Sequence, residues 1–195
     1  LINFCGEPLL AWTILQSLAA DNVSDTWVSS DSQEILDIAT QYGAKSIKRP
    51  DEISGDNESS ESAWLHAIDF IESQPDSVAI DYVLAPQVTS PLRDVSDFSN
   101  SINQLIAEKS DTLLSVAEIE DFFIWKKDEN KNPESVNYDY KNRKLRQHIE
   151  NRYLENGSFY IFSPEFLKDN INRLGGKISL YKMERYKMFQ IDNME

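Results

Sequence analysis

The fold is indicated most directly by one stretch of the chain, Ile80-Asp81-Tyr82-Val83-Leu84-Ala85-Pro86-Gln87-Val88-Thr89-Ser90-Pro91-Leu92-Arg93. Residues 80–85 are mostly apolar and predict a buried strand, whereas residues 87–93 predict a polar turn stiffened by proline. Open α/β sheets bind their ligands at turns that follow the carboxyl ends of strands. The amide, hydroxyl and guanidinium groups of residues 87–93 can bind a base edge, a sugar hydroxyl or an anion. We name residues 87–93 the signature turn and treat it as the first candidate site.

Strands and helices are predicted to alternate on both sides of the signature turn. Apolar residues at helical spacing predict helices at residues 8–20, 32–42, 60–72, 95–109 and 164–169. Short β-rich runs predict strands at residues 26–29, 44–48, 78–85, 111–119, 157–162 and 178–183. Asp31, with Glu34 at capping-box spacing, is predicted to cap the second helix. This alternation is typical of a three-layer, Rossmann-like α/β fold with a mostly parallel sheet.

The composition predicts one globular domain that neither binds nucleic acid nor spans a membrane. The chain has 195 residues, of which 41% are hydrophobic and 27% are charged, which suffices for one core. The net charge of -14 disfavours nucleic-acid binding through a broad basic surface. No apolar run approaches the roughly 20 residues that span a bilayer, and no signal-peptide pattern is present. One cysteine and two histidines disfavour a zinc site, so a reducing, cytoplasmic location is expected.

Residues 121–155 interrupt the alternation with a charged, asparagine-rich and aromatic segment. Its length is unusual for a simple connection and predicts a functional excursion or a dimer arm. Five of the 19 lysine and arginine residues lie within residues 141–152. On an acidic protein such a cluster is most simply a solvated face. An anionic substrate would, however, need local basic residues or a divalent metal.

Six motifs occur in an order that matches a known family. They are Gly6 to Leu10, Val28 to Asp31, Arg49-Pro50 with residues 56–60, the signature turn, Asn156-Gly157 leading to Tyr160, and Gln190-Ile191-Asp192. Together they resemble the CMP-sialic acid synthetase (acylneuraminate cytidylyltransferase) family, whose corresponding turn reads LQPTSPLR. Residues 172–178 are similar to a bacterial branch that acts on sialic acid and related nine-carbon acids. The resemblance covers nearly the whole chain.

This resemblance implies a three-layer nucleotidyltransferase fold and a specific reaction. CTP and a nine-carbon 2-keto sugar acid (a nonulosonic acid) would condense to a CMP-sugar and pyrophosphate, for cell-surface glycans such as lipopolysaccharide or capsule. Catalysis in the family is mainly positioning and charge neutralisation. Mg²⁺ would bind the phosphates, since it accepts carboxylate and phosphate oxygens.

For the nucleotide, the resemblance implies contacts from Arg49, Ser60 and Gln87. Taken alone, Arg49 could be a surface arginine before a proline, and Ser60 could be a helix N-cap. Gln87 is better placed than either because it follows the end of a predicted strand.

For the sugar acid, the resemblance implies contacts from Lys126, Arg146, Asn156 and Tyr160. Arg146 is the strongest of these and a candidate catalytic residue, because guanidinium pairs with a carboxylate through two parallel hydrogen bonds. Tyr160, taken alone, would more often be a core residue. Within the signature turn, Thr89, Ser90 and Arg93 are also implied to contact substrate, although Arg93 could equally anchor its own loop.

Asp192 is the candidate metal ligand and a second candidate catalytic residue. It resembles the second aspartate of the family's Asp-x-Asp motif, whereas Gln190 stands at the first position. A neutral amide binds Mg²⁺ less well than a carboxylate does. Either one aspartate suffices, or a second ligand lies elsewhere. Val88 also departs from the family, which usually has proline there.

The resemblance further implies segments outside these 195 residues and a dimer. The family's first strand and its Arg-Gly-Gly-Ser-Lys-type phosphate loop would precede Leu1, and a terminal helix would follow Glu195. We expect the complete protein to carry them, because a sheet without a central strand exposes unpaired backbone groups. Family members dimerise through an excursion between late strands, so residues 121–155 predict a homodimer.

Two alternatives stay open at this point. A cytidylyltransferase for the eight-carbon acid Kdo would share the fold and the reaction, and substrate competition would separate the two. A non-catalytic sugar-nucleotide-binding domain is favoured by Gln190 and by the absent phosphate loop. Gln87, Arg146, Asn156 and Asp192 argue against it.

Overall fold

The computed structural model describes residues 1–119, 123–145 and 148–192. The helices are α1 (Leu9–Leu18), α2 (Gln33–Gln41), α3 (Ser60–Glu72), α4 (Val95–Glu108) and α5 (Pro164–Asn170). The strands are β1 (Asn3–Phe4), β2 (Glu7–Pro8), β3 (Trp27–Ser30), β4 (Lys45–Lys48), β5 (Val83–Pro86), β6 (Thr112–Ile119), β7 (Trp125–Lys127), β8 (Pro133–Ser135), β9 (Arg152–Phe162) and β10 (Ile178–Met183). Short 3₁₀ turns lie at Asp51–Ile53 and Arg185–Met188. The predicted order of helices and strands is confirmed.

The main sheet has four strands in the order β10-β6-β9-β5. Strands β10 and β6 are parallel, but β9 runs antiparallel to both β6 and β5. This sheet is therefore mixed rather than mostly parallel. The reason lies between β6 and β9, where the chain forms the β7–β8 hairpin; a parallel return would need a crossover to the opposite end of the sheet. Strands β3 and β4 form a separate parallel pair.

Helices cover both faces of the main sheet. Because successive strand residues point to opposite faces, Phe159 and Ile161 of β9 pack in a cluster with α4, whereas Tyr160 and Phe162 pack in a cluster with α3 and α5. Burying such apolar side chains contributes about 1.5–3 kcal/mol each. The predicted three-layer, Rossmann-like α/β fold is confirmed.

A third cluster joins the amino-terminal elements to the signature turn. Leu10 and Ile14 of α1 pack with Ala39 of α2, and Val28 of β3 and Val88 contact the same cluster. An apolar residue at position 88 thus helps to seat the turn against the β3–α2–β4 unit. Within the described residues, no helix is both long enough and apolar enough to span a membrane.

The cap predicted for α2 is wrong by one residue, and so is the alternative in which Ser60 caps α3. The residue at the cap position of α2 is Ser32, not Asp31, because the helix begins at Gln33. For α3 the cap is Ser59, whose Oγ accepts the N–H of Ser62 (3.2 Å). Neither Asp31 nor Ser60 is therefore explained by helix capping.

Candidate active site

The signature turn follows the carboxyl end of β5, as predicted. The N–H of Gln87 donates to the carbonyl of Ser158 (2.9 Å), which extends the pairing of β5 with β9 by one residue. The N–H of Ser90 then donates to the carbonyl of Gln87 (3.2 Å) and closes the turn. Gln87 is half-buried, and its side-chain amide lies at the edge where an α/β sheet binds ligands.

Arg93 anchors the signature turn from inside. Its side chain is 4% exposed, and Nη1 donates to the carbonyls of Gln87 and Ser158, both at 2.9 Å. Nη2 donates to Thr13 Oγ1 (2.7 Å), and Nε donates to Gln16 Oε1 (3.1 Å). Burial lowers the pKa of Arg93 to about 10, so the guanidinium stays charged at neutral pH. These bonds show that Arg93 anchors its own loop, which was the alternative interpretation. They do not support a substrate contact for this buried side chain.

Thr13 and Gln16 of α1 complete this anchor, and the sequence analysis missed both. Gln16 also donates through Nε2 to the carbonyls of Pro91 (3.0 Å) and Arg93 (2.8 Å). The available signal was the spacing of Thr13 and Gln16, which are three residues apart on a mostly apolar helix and therefore share one face. That pattern predicts a polar contact for the face, although it does not name the partner.

The carboxyl-terminal motif meets the signature turn. The N–H of Ile191 donates to the carbonyl of Thr89 (2.8 Å), and Gln190 Nε2 donates to the carbonyl of Asn156 (2.6 Å). Gly157 has a φ of +63°, and a Cβ added to it would lie 2.6 Å from Gln190 Nε2 and 3.9 Å from Gln87 Oε1. Glycine is needed here for both conformation and space. Three motifs far apart in sequence thus converge after β5.

The side chain of Asn156 turns inward, and its predicted contact with the sugar acid stays a prediction. Its Oδ1 accepts hydrogen bonds from Ser115 Oγ (2.7 Å) and from the Ser158 N–H (3.2 Å), and Nδ2 lies 3.3 Å from Met183 Sδ. Asn156 is buried at the irregularity in β6–β9 pairing. Buried polar groups need such partners. Asn156 therefore shapes the strand through its side chain, and its backbone carbonyl bonds to Gln190 of the site.

Tyr160 is a buried phenol beside the same edge. Its hydroxyl donates to Glu155 Oε1 (2.6 Å), and Ala85 of β5 is its strand partner. Burial, together with Glu155, raises the pKa of Tyr160 to about 12. The phenol is thus a neutral hydrogen-bond donor at physiological pH.

Arg49 and Ser60 bound the loop that leads into α3. Arg49 Nε donates to Ser54 Oγ (3.1 Å), and Nη2 lies 3.7 Å from Asp31 Oδ1. Ser60 is exposed at the first position of α3. These contacts join Arg49 to its own loop and to the residue that follows β3, and the predicted nucleotide contacts of both residues stay predictions.

Three predicted site residues remain, namely Ser90, Lys126 and Arg146. Ser90 is buried, and its Oγ has no hydrogen-bond partner among residues 1–119, 123–145 and 148–192. Lys126 is exposed on β7, with Nζ 3.2 Å from Glu134 Oε2 of β8. Arg146, the predicted carboxylate-binding residue, lies outside the described residues.

Asp192 is the residue predicted to hold a metal, and that role stays a prediction. Asp192 is exposed beside Ile191, which is held at the signature turn. Gln190 uses its amide nitrogen on the Asn156 carbonyl. In the part of the chain that the structure describes, no three His, Cys, Asp or Glu side chains form a metal-binding group. A single carboxylate fits Mg²⁺, which commonly binds one or two carboxylates together with substrate phosphates and waters.

The mixed sheet between two helical layers, with polar motifs gathered beyond β5, defines an α/β nucleotidyltransferase fold. The same fold occurs in CMP:2-keto-3-deoxy-manno-octonic acid synthetase, solved in complex with CTP. That structure aligns with a TM-score of 0.66 at 11% identity, over 94% of this chain and 82% of the other. The chain itself belongs to the cytidylyltransferase family, whose sequence model matches residues 1–194.

Two relatives show which kinds of cytidylyltransferase this chain is similar to. N-acylneuraminate cytidylyltransferase B of Danio rerio is 31% identical over 185 residues, which cover 93% of this chain and 41% of the relative. Pseudaminic acid cytidylyltransferase of Campylobacter jejuni strain 81-176 is 27% identical over 202 residues, covering 100% of this chain and 84% of the relative. The chain thus spans about two fifths of the fish relative's length. The predicted resemblance to the CMP-sialic acid synthetases is confirmed.

Proposed function

We propose that the complete protein transfers CMP from CTP to a nine-carbon 2-keto sugar acid and releases pyrophosphate. The observation that carries this proposal is the convergence of the signature turn, Gly157 and the Gln190–Asp192 segment beyond β5. The names of the relatives support it, because they act on N-acylneuraminate and on pseudaminic acid. A cytoplasmic location and a role in cell-surface glycans, including lipopolysaccharide, belong to the same proposal. The free Cys5 thiol fits a reducing compartment.

In the proposed reaction, the protein acts mainly by holding its two substrates in line. The anomeric hydroxyl oxygen of the sugar acid bonds to the α-phosphorus as the bond to the pyrophosphate oxygen breaks. Gln87 would bind the nucleotide through its side-chain amide, and Arg93 keeps that residue in place by bonding its carbonyl. Tyr160 would contribute its neutral phenol, which donates to Glu155, on the acceptor side of the site. Asp192 would hold Mg²⁺, which neutralises charge on the phosphates when it is bound.

The test is pyrophosphate release by the complete protein with CTP and Mg²⁺. The acids offered separately would be sialic, legionaminic and pseudaminic acid, with Kdo as the eight-carbon control. We expect turnover that requires CTP and one nine-carbon acid. Preference for Kdo would assign the acceptor to the eight-carbon class. If CTP binds in calorimetry but no acid is turned over, the proposal is wrong and the non-catalytic alternative holds.

The homodimer is a further part of this proposal, supported by an aromatic patch on the excursion. The patch consists of Phe123, Trp125, Tyr138 and Tyr140, whose neighbouring ring centroids lie 4.3–5.9 Å apart. Trp125 is 45% exposed and Tyr140 is 53% exposed. Aromatic residues are enriched at protein interfaces, and exposed apolar patches mark them.

We expect the complete protein to give the dimer mass in light scattering at micromolar concentration. The double substitution Trp125→Asp and Tyr140→Asp should weaken the dimer at least about tenfold, because charge would replace apolar contact. Tyr186→Asp is the matched control, since Tyr186 is similarly exposed (55%) outside the patch. A monomer mass for the unaltered protein, or equal weakening by the control, would contradict this use of the patch.

A further inference from the structure

Arg173 forms a bidentate ion pair that joins the segment after α5 to the first turn of α3. Its Nε donates to Glu61 Oε1 (2.8 Å) and its Nη2 donates to Glu61 Oε2 (3.1 Å). The two side chains are 21% and 13% exposed. Burial alone would raise the pKa of Glu61, but hydrogen bonds and charge from Arg173 bring that pKa below its usual value. Glu61 is therefore ionised at neutral pH, and the pair is a fixed feature of the fold.

Two aromatic rings also contact the guanidinium of Arg173. Its Cζ lies 4.6 Å from the ring centroid of Trp64 and 4.9 Å from that of Tyr160. Arginine stacks on aromatic faces through its planar, weakly hydrated guanidinium, whereas lysine lacks that plane. Arg173 thus contacts α3 through Glu61 and Trp64, and β9 through Tyr160.

The contact with Tyr160 links Arg173 to the edge of the candidate site. Tyr160 is paired with Ala85, two residues before Gln87, and its hydroxyl donates to Glu155. Glu155 is exposed on β9. A carboxylate here repels the carboxylate of a sugar acid, but it can accept hydrogen bonds from hydroxyl or acylamino groups. The Tyr160–Glu155 pair is thus suited to the polyhydroxy part of the acceptor.

The packing of α5 on α3 does not depend on the Arg173–Glu61 ion pair. A second ion pair already joins these helices, because Lys168 Nζ lies 2.7 Å from Glu72 Oε2 and 3.4 Å from Asp69 Oδ1. Leu167 of α5 is also fully buried beside Ile68 of α3. A largely buried pair such as Arg173–Glu61 adds little net stability, since desolvation offsets the attraction.

We propose that Arg173 is a positioning residue for the acceptor sugar. It fixes the ring of Tyr160, and through it the Tyr160–Glu155 pair, which hydrogen-bonds the hydroxyl or acylamino groups of the acid. This inference rests on the proposed function. Because Arg173 acts on the acceptor side, its loss affects acceptor binding and leaves CTP binding unchanged.

The experiment measures pyrophosphate release by the complete protein, varying the accepted acid at saturating CTP and then CTP at saturating acid. Arg173→Met should raise KM for the acid about tenfold and change KM for CTP less than about twofold. Arg173→Lys, which keeps the charge but loses the bidentate and stacked contacts, should restore only part of this loss. Lys168→Met is the matched control because it breaks the other ion pair between α3 and the α5 region, and it should leave both KM values unchanged.

Thermal unfolding of each variant identifies a purely structural role. If Arg173→Met lowers Tm but leaves KM for the acid unchanged, or raises both KM values equally, the inference is wrong. Should Arg173→Met fail to fold, Glu61→Gln serves in its place, with an expected rise in KM for the acid of about threefold. Absence of turnover by the unaltered protein would overturn the proposed function, and this inference with it. Turnover with an unchanged KM in the variants would overturn the inference alone.

Discussion

Arg93→Met should lower the free energy of unfolding by about 3–5 kcal/mol, because it removes a buried guanidinium that donates hydrogen bonds to the signature turn, to β9 and to α1. The carbonyls of Gln87 and Ser158 would each lose one of two donors, and the buried hydroxyl of Thr13 would lose its bond to Arg93. Methionine fills part of the volume but donates no hydrogen bond. The measurement is urea unfolding followed by tryptophan fluorescence, with the m-value checked for a change in unfolding mechanism.

Arg143→Met is the control for this prediction. Arg143 is exposed and its guanidinium lies 4.4 Å from the ring centroid of Phe123, so its loss should cost less than about 1 kcal/mol. A loss below 1 kcal/mol at Arg93 as well would show that the buried bonds do not stabilise the turn. Where enough folded Arg93→Met protein remains, its KM for CTP should rise, because Gln87 would no longer be fixed.

Asp192→Asn should reduce kcat/KM for CTP by at least about 100-fold in the presence of Mg²⁺, since the substitution removes charge from the ligand that we propose for the metal. The reason is specific to this chain. Gln190 carries a neutral amide, whose nitrogen bonds to the Asn156 carbonyl, so Asp192 supplies the one carboxylate of the Gln190-Ile191-Asp192 motif. The Mg²⁺ concentration for half-maximal rate should rise in parallel.

Asp37→Asn is the matched control, because Asp37 is an exposed aspartate of α2 that accepts a hydrogen bond from Gln33. It should leave both the rate and the Mg²⁺ dependence unchanged. An Asp192→Asn protein with normal Mg²⁺ dependence would mean that another group binds the metal.

Local sequence patterns predicted the elements well, because apolar spacing and turn residues act within a few residues. The bounds predicted for α3, residues 60–72, are those observed. The direction of β9 could not be read in this way. It depends on how the preceding segment folds, and that segment has no apolar periodicity.

The candidate site was predicted by position more successfully than by side-chain direction. Gln87 and the Gln190–Asp192 segment do meet. Arg93 and Asn156, by contrast, point inward because their partners, such as Thr13 and Ser115, come from remote parts of the chain. The prediction that Asp31 caps α2 was wrong because the next residue, Ser32, occupies the cap position.

The topology of the main sheet has a consequence for the order of folding. The β3–α2–β4 unit is formed by residues 27–48, which are close in sequence. The main sheet, by contrast, pairs Val83 with Phe162 and Thr112 with Ile178, which are far apart in sequence. Contacts so distant in sequence form slowly, because the entropy of closing the loop is lost before any pairing energy is gained. The hydrated guanidinium of Arg93 enters the interior only when β9 arrives beside β5. We therefore expect the edge that carries the signature turn to become ordered late in folding, and a chain released before β9 is complete to lack this edge.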